Sequence, residues 1–368
     1  MSQFRGKAGL VQRVLPNYRA PFFNALGERC TEGLGVFTGD PRQDEMIKPV
    51  EQLEKASLTQ GSNVHLFRGA FYLCIQTGLM DWLKGWDPDI LILEANPRYL
   101  RTLQALHWMH RQDRPVIGWG LGAPPLTGPL AKARQSRRRQ FVSQFDALIT
   151  YSQTGAGEYA QLGYPEDQIF IAVNAVTPPP PHPLPQRPPL AVGARPTVLF
   201  VGRLQARKRV DNLIKACAQL PETQQPELVI IGDGPALESL QALAAVHYPS
   251  TRFTGALYGD DLADEFRTAD IFVLPGTGGL AVQQAMSYGL PVIAAEADGT
   301  QADLVRPENG WQIPPDDFPS LKQTLETALS DIAKLRQMGE NSYQIVAEEI
   351  NLNQMVKVFL DVMNRCTA

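Results

Sequence analysis

Short apolar runs alternate with amphipathic stretches through the second half of the chain. Several runs are rich in β-branched residues and end at a glycine or next to a proline, which predicts short buried strands. These strands are predicted at residues 197–201, 227–231, 252–253, 271–274 and 291–294. Apolar positions recur at helical spacing between them, in residues 210–220, 236–245, 261–268 and 279–288. Because buried strands that alternate with helices form a parallel sheet covered on both faces, this half is predicted to be a doubly wound α/β domain.

The first half shows the same alternation less clearly. Strand candidates lie at residues 10–15, 36–38, 90–93, 116–119, 147–150 and 169–173, and helix candidates near 21–29, 98–111 and 154–163. We therefore predict two Rossmann-like domains that face each other across a cleft. Ligands of open α/β sheets bind beyond the carboxyl ends of the strands, so a site is expected there.

A proline-rich segment divides the two halves. Nine prolines lie between residues 178 and 196, and proline lacks the amide hydrogen that a central strand needs. This composition predicts an extended and exposed linker. The predicted order is an N-terminal domain at 1–176, the linker at 177–195, a C-terminal domain at 196–345 and a final helix at 346–368 that packs back on the N-terminal domain.

Composition and charge narrow the functional class. A chain of 368 residues, 44% of them hydrophobic, can bury the cores of two globular domains. The net charge of -4 argues against a nucleic-acid binder, which needs a strongly basic face. The four cysteines lie far apart and favour a reducing cytoplasm. We expect neither a secretory signal nor a membrane span, because no apolar run reaches the ~20 residues that a span needs.

Two cations follow the first strand of the second half. Gly202 ends this strand, Arg203 comes next, and Lys208 follows five residues later, before a helix. Glycine lets a backbone approach a ligand closely. A guanidinium and an ammonium group can then bind a diphosphate from two sides. A solvated basic turn is the alternative interpretation.

A glycine-rich turn follows the strand at 271–274. It contains Gly276, Gly278 and Gly279, and a helix begins near Leu280. Backbone amides at a helix N-terminus attract anions, so the turn predicts a phosphate site. The alternative is a flexible turn that needs positive φ. No segment matches the fingerprints of dinucleotide dehydrogenases or P-loop NTPases.

With these motifs the sequence resembles the retaining glycosyltransferases of the GT-B fold, in particular their large family-4 group. The resemblance is densest from residue 198 to about 314. It includes the glycine, arginine and lysine of the first turn, a turn at Gly232, and the donor-site helix with its following strand at 279–293. It implies that a nucleoside-diphosphate sugar binds at Gly202, Arg203, Lys208, Gly232, Gly255, Ala256, Gly278, Gly279, Leu280 and Gln284.

The sequence differs from this family at a pair of glutamates that are separated by seven residues. They would fall on Gly276 and Gln284, so both carboxylates are absent. In the family the first contacts the donor sugar and the second the ribose hydroxyls. Gln284 can still form hydrogen bonds with a ribose, or it is only a polar helix residue. Because Gly276 has no carboxylate, it cannot contact the donor sugar in the way that the family's first glutamate does.

Three residues of the first half are candidates for the acceptor side. Tyr18 and Arg19 lie in a segment, residues 15–23, that resembles the first strand-to-helix turn of one branch of these transferases, without its usual glycine pair. Glu94 follows the strand at 90–93 and can hydrogen-bond an acceptor hydroxyl. The alternatives are a capped turn with Arg19 in solvent and an ordinary salt-bridged or exposed Glu94.

A basic run lies in a helical segment of the first half. Its cations are Lys132, Arg134, Arg137, Arg138 and Arg139. Residues 1–175 carry a net charge of +3, whereas residues 176–368 carry -7. Such a run predicts peripheral contact with anionic lipid headgroups, and a solvated helical face is the alternative.

Together these features predict a cytoplasmic enzyme, with peripheral contact at the inner face of the membrane, that moves a sugar from a UDP- or GDP-sugar to a glycan or lipid-linked acceptor. Arg203 and Lys208 would stabilise the departing diphosphate, so neither a cofactor nor a metal ion is expected. The resemblance implies retention of configuration. A nucleotide-sugar epimerase of the same fold and a non-catalytic donor-binding partner of another transferase are the alternative functions.

Overall fold

The structure of the protein, a computed structural model, describes residues 2–42, 44, 45, 47–191, 193–278, 280–297 and 299–368. It divides into two units. The first comprises Met1–Val176 and Leu352–Ala368, and the second comprises Thr177–Asn351.

The first unit is built on a parallel sheet of seven strands. Its strands are β1 (Ala8–Gln12), β2 (Leu34–Thr38), β3 (Ser57–Gln60), β4 (Ser62–Leu66), β5 (Leu73–Thr77), β6 (Ile90–Glu94), β7 (Val116–Gly120), β8 (Ala147–Thr150) and β9 (Ile169–Ile171). The parallel sheet has the order β3-β2-β1-β6-β7-β8-β9, and β4 and β5 form a separate antiparallel hairpin. The helices between the strands are α1 (Ala20–Gly27), α2 (Leu79–Trp86), α3 (Thr102–His110), α4 (Ala131–Val142) and α5 (Gln153–Leu162).

The second unit has a parallel sheet of six strands. They are β10 (Thr197–Val201), β11 (Glu227–Ile231), β12 (Arg252–Gly255), β13 (Ile271–Leu274), β14 (Val292–Ala295) and β15 (Gly310–Ile313), in the order β12-β11-β10-β13-β14-β15. The helices are α6 (Val210–Ala218), α7 (Leu237–His247), α8 (Gly259–Thr268), α9 (Leu280–Ser287), α10 (Gln301–Leu304), α11 (Phe318–Leu329) and α12 (Ile332–Gln344), followed by a π-helical turn at Ile345–Glu349. The prediction of two Rossmann-like domains with parallel sheets is confirmed.

Helices cover both faces of the first sheet, and strand β6 shows why. Ile90 and Ile92 point to one face and Leu91 and Leu93 to the other, because side chains alternate along a strand. All four are buried. A strand that is apolar on both faces is stable only between two layers of helices.

In each sheet the chain first adds strands on one side of the first strand and then adds the later strands on its other side. In the first unit the chain runs outward from β1 to β3 and then returns to add β6 on the other side of β1. In the second unit the same reversal places β13 beside β10. The carboxyl ends of such a strand pair leave a crevice, which is where ligands of this architecture bind.

The proline-rich segment differs from the expected exposed linker. It has no regular helix or strand, but its Arg187 is half-buried against the second unit. The Arg187 guanidinium donates to four backbone carbonyls at the ends of α8 and α9, those of Phe266, Ala269, Tyr288 and Gly289, at 2.8–3.2 Å. A cation is favourable at a helix C-terminus, so this segment is anchored to the second unit and does not act as a free spacer.

The last helix, α13 (Leu352–Thr367), is part of the first unit. Its Phe359 is fully buried, and the Phe359 ring lies 4.9 Å from the ring centroids of both Phe22 and Trp119. Aromatic side chains in such edge-to-face arrangements contribute strongly to a core. The helix begins at Leu352, later than the predicted residue 346. The preceding residues form the π-helical turn at Ile345–Glu349, which belongs to the second unit.

We expect Phe359→Ala to lower the free energy of unfolding by about 3–5 kcal/mol, because it removes a large ring from a closed core. Urea unfolding followed by circular dichroism measures the change. Lys357→Ala, on the exposed side of the same helix, is the control and should change stability by less than about 0.5 kcal/mol. Equal effects of the two substitutions would show that α13 does not complete this core.

Candidate functional site

Two loops leave neighbouring strand ends at the reversal point of the second unit. One loop follows β10 and contains Arg203 and Lys208, and the other follows β13 and contains Gly276 and Gly278. The cations and the glycines of the two predicted motifs therefore lie at the same edge of one sheet.

The two loops contact each other through their backbones at Gly276. A Cβ atom built on Gly276 would lie 2.2 Å from the carbonyl oxygen of Arg207 and 2.7 Å from the Cα of Lys208. The Thr277 amide donates to the Arg207 carbonyl at 3.1 Å, and the Arg207 guanidinium donates to Thr277 Oγ1 at 3.0 Å. A side chain at position 276 would overlap this backbone, so the arrangement does not accommodate the glutamate that the resemblance predicts there.

Lys208 is held inside this contact. Its Nζ lies 2.1 Å from the position that a Cβ on Gly278 would occupy, and Gly278 has φ +134°. Only glycine allows the ammonium group to lie so close to this backbone. Burial and the nearby charge of Arg207 lower the pKa of Lys208 to about 8. Arg203, by contrast, is exposed at the end of β10.

Gly232 and Gly255 support the first loop. A Cβ on Gly232 would lie 1.9 Å from the carbonyl oxygen of Gly202, and the Gly232 amide donates to the Gly255 carbonyl at 2.8 Å. Gly232 and Gly255 therefore keep the ends of β10, β11 and β12 close together. Ala256 follows Gly255 and is exposed at the same edge.

The helix after the glycine turn carries the remaining predicted donor residues. Leu280 begins α9, and Gln284 is half-buried one turn later. Gly279 lies outside the described residues.

Sequence reasoning missed two residues that hold the glycine turn. Arg207 is exposed, but its guanidinium donates to Thr277, as described above. Gln301, at the start of α10, is 1% exposed, and its Nε2 donates to the Gly278 carbonyl at 3.1 Å. Gln301 Oε1 is buried and has no hydrogen-bond partner among the described residues. No local sequence signal marks Gln301, because its partner lies 23 residues earlier in the chain.

A cavity of about 310 Å³ opens beside this contact. Arg207, Gly276 and Thr277 form part of its wall, and Glu296, at the end of β14, forms another part. This edge of the sheet thus offers cations, a glycine turn and two carboxylates, those of Glu296 and Asp316, around open space.

A half-buried carboxylate lies at the corresponding point of the first unit. Glu94 ends β6 and accepts a hydrogen bond from the backbone amide of Arg13, the residue after β1. The Arg13 side chain binds both carboxylate oxygens of Glu45 at 2.8 and 3.0 Å. Burial raises the pKa of Glu94, although the charges of Arg13 and Arg19 oppose the shift. A carboxyl group with a perturbed pKa at a strand end is typical of a functional site.

Arg19 is fixed within the first unit, so the alternative with Arg19 in solvent is wrong. Its guanidinium donates to the Tyr151 hydroxyl at 3.1 Å and to Asn174 Oδ1 at 3.4 Å. It also lies over the ring of Trp119, 5.3 Å from the ring centroid. Tyr18 precedes it and is 49% exposed, which leaves its side chain available to a ligand.

The five predicted basic residues of α4 do not share one face. Arg134 and Arg137 line one cavity, whereas Lys132 and Arg139 line another. Arg138 is half-buried and donates to the carbonyl of Pro124 at 2.6 Å. The basic run therefore divides into two surfaces and one structural contact.

Two further features concern metal ions and membranes, and both statements apply to the described residues alone. No three histidine, cysteine or acidic side chains are grouped as they would be around a metal ion. No helix in the described segments combines the length and the apolar character of a membrane span.

Comparison with known sequences identifies the second unit. Residues 186–345 match the sequence model of the family Glycosyl transferases group 1. A sulfoquinovosyl transferase of Arabidopsis thaliana is 38% identical over 145 residues, which are 37% of this chain and 27% of that protein. A GDP-mannose-dependent alpha-mannosyltransferase of Mycobacterium tuberculosis is 40% identical over 128 residues, 34% of this chain and 32% of that protein. The matches thus span about a quarter to a third of these relatives.

Solved structures are similar over the whole chain. HepE of Anabaena in complex with UDP has a TM-score of 0.70 at 16% identity, covering 99% of this chain and 100% of that one. The lipopolysaccharide outer core galactosyltransferase WaaB has a TM-score of 0.66 at 16% identity, covering 99% of both chains. The protein therefore has the GT-B fold, and its residues 186–345 match the sequence model of the family Glycosyl transferases group 1.

Proposed function

We propose that this protein is a glycosyltransferase that moves a sugar from a nucleoside-diphosphate sugar to a glycan or lipid-linked acceptor, with retention of configuration and without a metal ion. The observation that carries the proposal is the placement of Lys208 Nζ against the Gly278 turn at the end of β13, with Arg203 at the end of the adjacent β10. Fixed cations at this point of the sheet can neutralise a diphosphate.

The chemistry needs few protein groups. The bond between the anomeric carbon and the diphosphate oxygen breaks, and the acceptor oxygen forms its bond to the same face of that carbon. The acceptor proton passes to the departing phosphate oxygen, so no protein nucleophile is required. Arg203 and Lys208 stabilise the negative charge that develops on this oxygen, and this electrostatic contribution accelerates the transfer.

The relatives support the donor class. The Mycobacterium tuberculosis relative is named for its dependence on GDP-mannose, and HepE was crystallised with UDP. We therefore propose a UDP- or GDP-sugar as donor. In family-4 transferases a glutamate at this position binds the ribose. We propose that Gln284 binds the ribose here through its side-chain amide. On the acceptor side we propose Glu94 and Tyr18 as contacts, and the cytoplasm as the compartment. An epimerase is not favoured, because the matched family and the named relatives are transferases.

A screen of UDP- and GDP-sugars by thermal shift is expected to reveal the donor, because a ligand at 100 times its dissociation constant stabilises the folded state by about 2.7 kcal/mol. Turnover is then measured with that donor and candidate acceptors. Arg203→Ala and Lys208→Ala should each slow transfer about 10²-fold or more, since each removes one charge from the leaving group.

Lys334→Ala, which removes an exposed cation from α12 of the same unit, is the control and should leave the rate unchanged. Undiminished transfer by both cation variants would refute their assigned role. Nucleotide binding without turnover for any acceptor would favour the donor-binding partner over the enzyme.

The pH dependence of nucleotide binding should report Lys208. Its pKa is lowered to about 8, so the protonated form that attracts a diphosphate is lost as pH rises through 8. We expect the dissociation constant of UDP or GDP to increase about tenfold between pH 7.5 and 9.5. Isothermal titration calorimetry across this range measures the change.

Lys208→Arg is the matched variant, because arginine keeps its charge throughout this range. It should show a much flatter pH profile. An equally steep profile in this variant would assign the titration to another group.

Introducing the family's glutamate should damage the site. Gly276→Glu places a side chain where the backbone of Arg207 and Lys208 lies, so the two loops must separate. We expect the free energy of unfolding to fall by more than about 2 kcal/mol and nucleotide affinity to fall with it. Chemical unfolding and calorimetry measure both. Gly85→Glu, at a position with open space around it, is the control, and tighter donor binding by Gly276→Glu would contradict the close contact.

A further inference from the structure

A second cavity of the first unit combines arginines with exposed phenylalanines. Its volume is about 870 Å³. It is lined by Phe67, Arg68, Phe71, Tyr72, Leu73, Arg98, Arg134 and Arg137, which we call the basic aromatic face. Four of these described lining residues are arginines and none is acidic.

The apolar side chains of this face are unusually exposed. Phe67 and Phe71 lie on the connection between β4 and β5 and are 69% and 80% exposed. Leu130, which precedes α4, is 77% exposed. An exposed aromatic ring is unfavourable in water, so a group of large apolar side chains beside several cations indicates an interaction surface.

The geometry of α4 assigns its cations to this face. Arg134 and Arg137 are three residues apart, which places them on the same side of α4, and Leu130 immediately precedes this helix with a left-handed φ of 57°. Lys132 and Arg139 line the separate cavity described above. The positive charge that lies beside the phenylalanines therefore comes from Arg134 and Arg137, together with Arg68 and Arg98 from other segments.

We propose that the basic aromatic face docks the first unit on a membrane surface that contains anionic phospholipids. Guanidinium groups bind phosphates in a fork geometry, and aromatic rings are favourable at the boundary between headgroups and acyl chains. The two exposed phenylalanines of the face favour a bilayer over a soluble polyanion, which would engage the arginines alone. Charge and apolar area act together here, as they do for other proteins that lie on a membrane.

The inner wall of the face connects to the acceptor side. Tyr72 lines the cavity, its hydroxyl lies 2.9 Å from His65 Nδ1, and its ring lies 5.3 Å from the guanidinium of Arg42. Arg42 forms an ion pair with Glu45, the partner of Arg13. Docking through this face would bring the Glu94 edge of the first unit close to lipid. The docking surface uses none of the donor residues, so it does not depend on the proposed reaction.

Vesicle flotation of the full chain tests the proposal. The protein should float with vesicles of phosphatidylcholine and phosphatidylglycerol and remain in solution with phosphatidylcholine alone. Arg134→Glu combined with Arg137→Glu should lower the partition coefficient at least about 25-fold, since each cation near an anionic surface contributes about fivefold. Phe67→Ser combined with Phe71→Ser should weaken binding most at high salt, where the electrostatic part is screened.

The matched control reverses two charges on the other side of the same helix. Lys132→Glu combined with Arg139→Glu changes the net charge equally and should lower partitioning far less. An equal loss in this control, binding to neutral vesicles, or failure to float would each overturn the proposal. Light scattering provides a further test. If the protein is a dimer that dissociates in the variant with Arg134→Glu and Arg137→Glu, the face is a contact between two copies of the chain and the proposal is wrong. Thermal shift with the donor nucleotide should be unchanged in every variant, so loss of flotation and failure of the proposed function are distinguishable.

Discussion

The contact between the two loops at the ends of β10 and β13 determines the arrangement of the second unit's site. The backbones approach so closely at Gly276 that a Cβ atom would overlap the carbonyl of Arg207. Hydrogen bonds between Arg207 and Thr277 close the contact from both sides. The position of Lys208 follows from this approach, because its ammonium group reaches the glycine turn only when the two loops lie together. A site built in this way depends on backbone shape more than on any acidic side chain, which is consistent with the absence of both family glutamates.

The first unit uses the same sheet geometry with the opposite charge. Its strands β1 and β6 also end side by side, but the group at this point is the carboxylate of Glu94, bound by the amide of Arg13. Around it, Arg13 is neutralised by Glu45 and Arg19 is held by Tyr151. Burial raises the pKa of the Glu94 carboxyl group, although the charges of Arg13 and Arg19 act to lower it. Parallel sheets thus define where a site can form, and the residues after the strands define its chemistry.

The strands could be predicted from local sequence because their signals are local, whereas the assignment of the two motifs to a donor stays a prediction. Strands β10, β11 and β13 are continuous apolar runs, and their bounds agree with the predicted residues. Strands β3 and β4 were missed because they are polar and partly exposed, with sequences SLTQ and SNVHL. The contacts of Arg187, Arg207 and Gln301 could not be predicted, since their partners lie tens of residues away in the chain. The five cations of α4 are close in the sequence, but the helix places them on different faces, so their division between two cavities could not be predicted from the run alone.

The two cations proposed to bind the donor differ in exposure, and this difference suits them to different steps. Arg203 is exposed at the end of β10, where it can attract an approaching diphosphate from solution. Lys208 is half-buried, and burial together with the nearby charge of Arg207 lowers its pKa to about 8. An arriving phosphate therefore supplies a favourable interaction to an ammonium group that has lost part of its hydration. Electrostatic stabilisation is strongest from charges that are already positioned and poorly solvated, so Lys208 should contribute more than Arg203 to the charge that develops as the diphosphate departs.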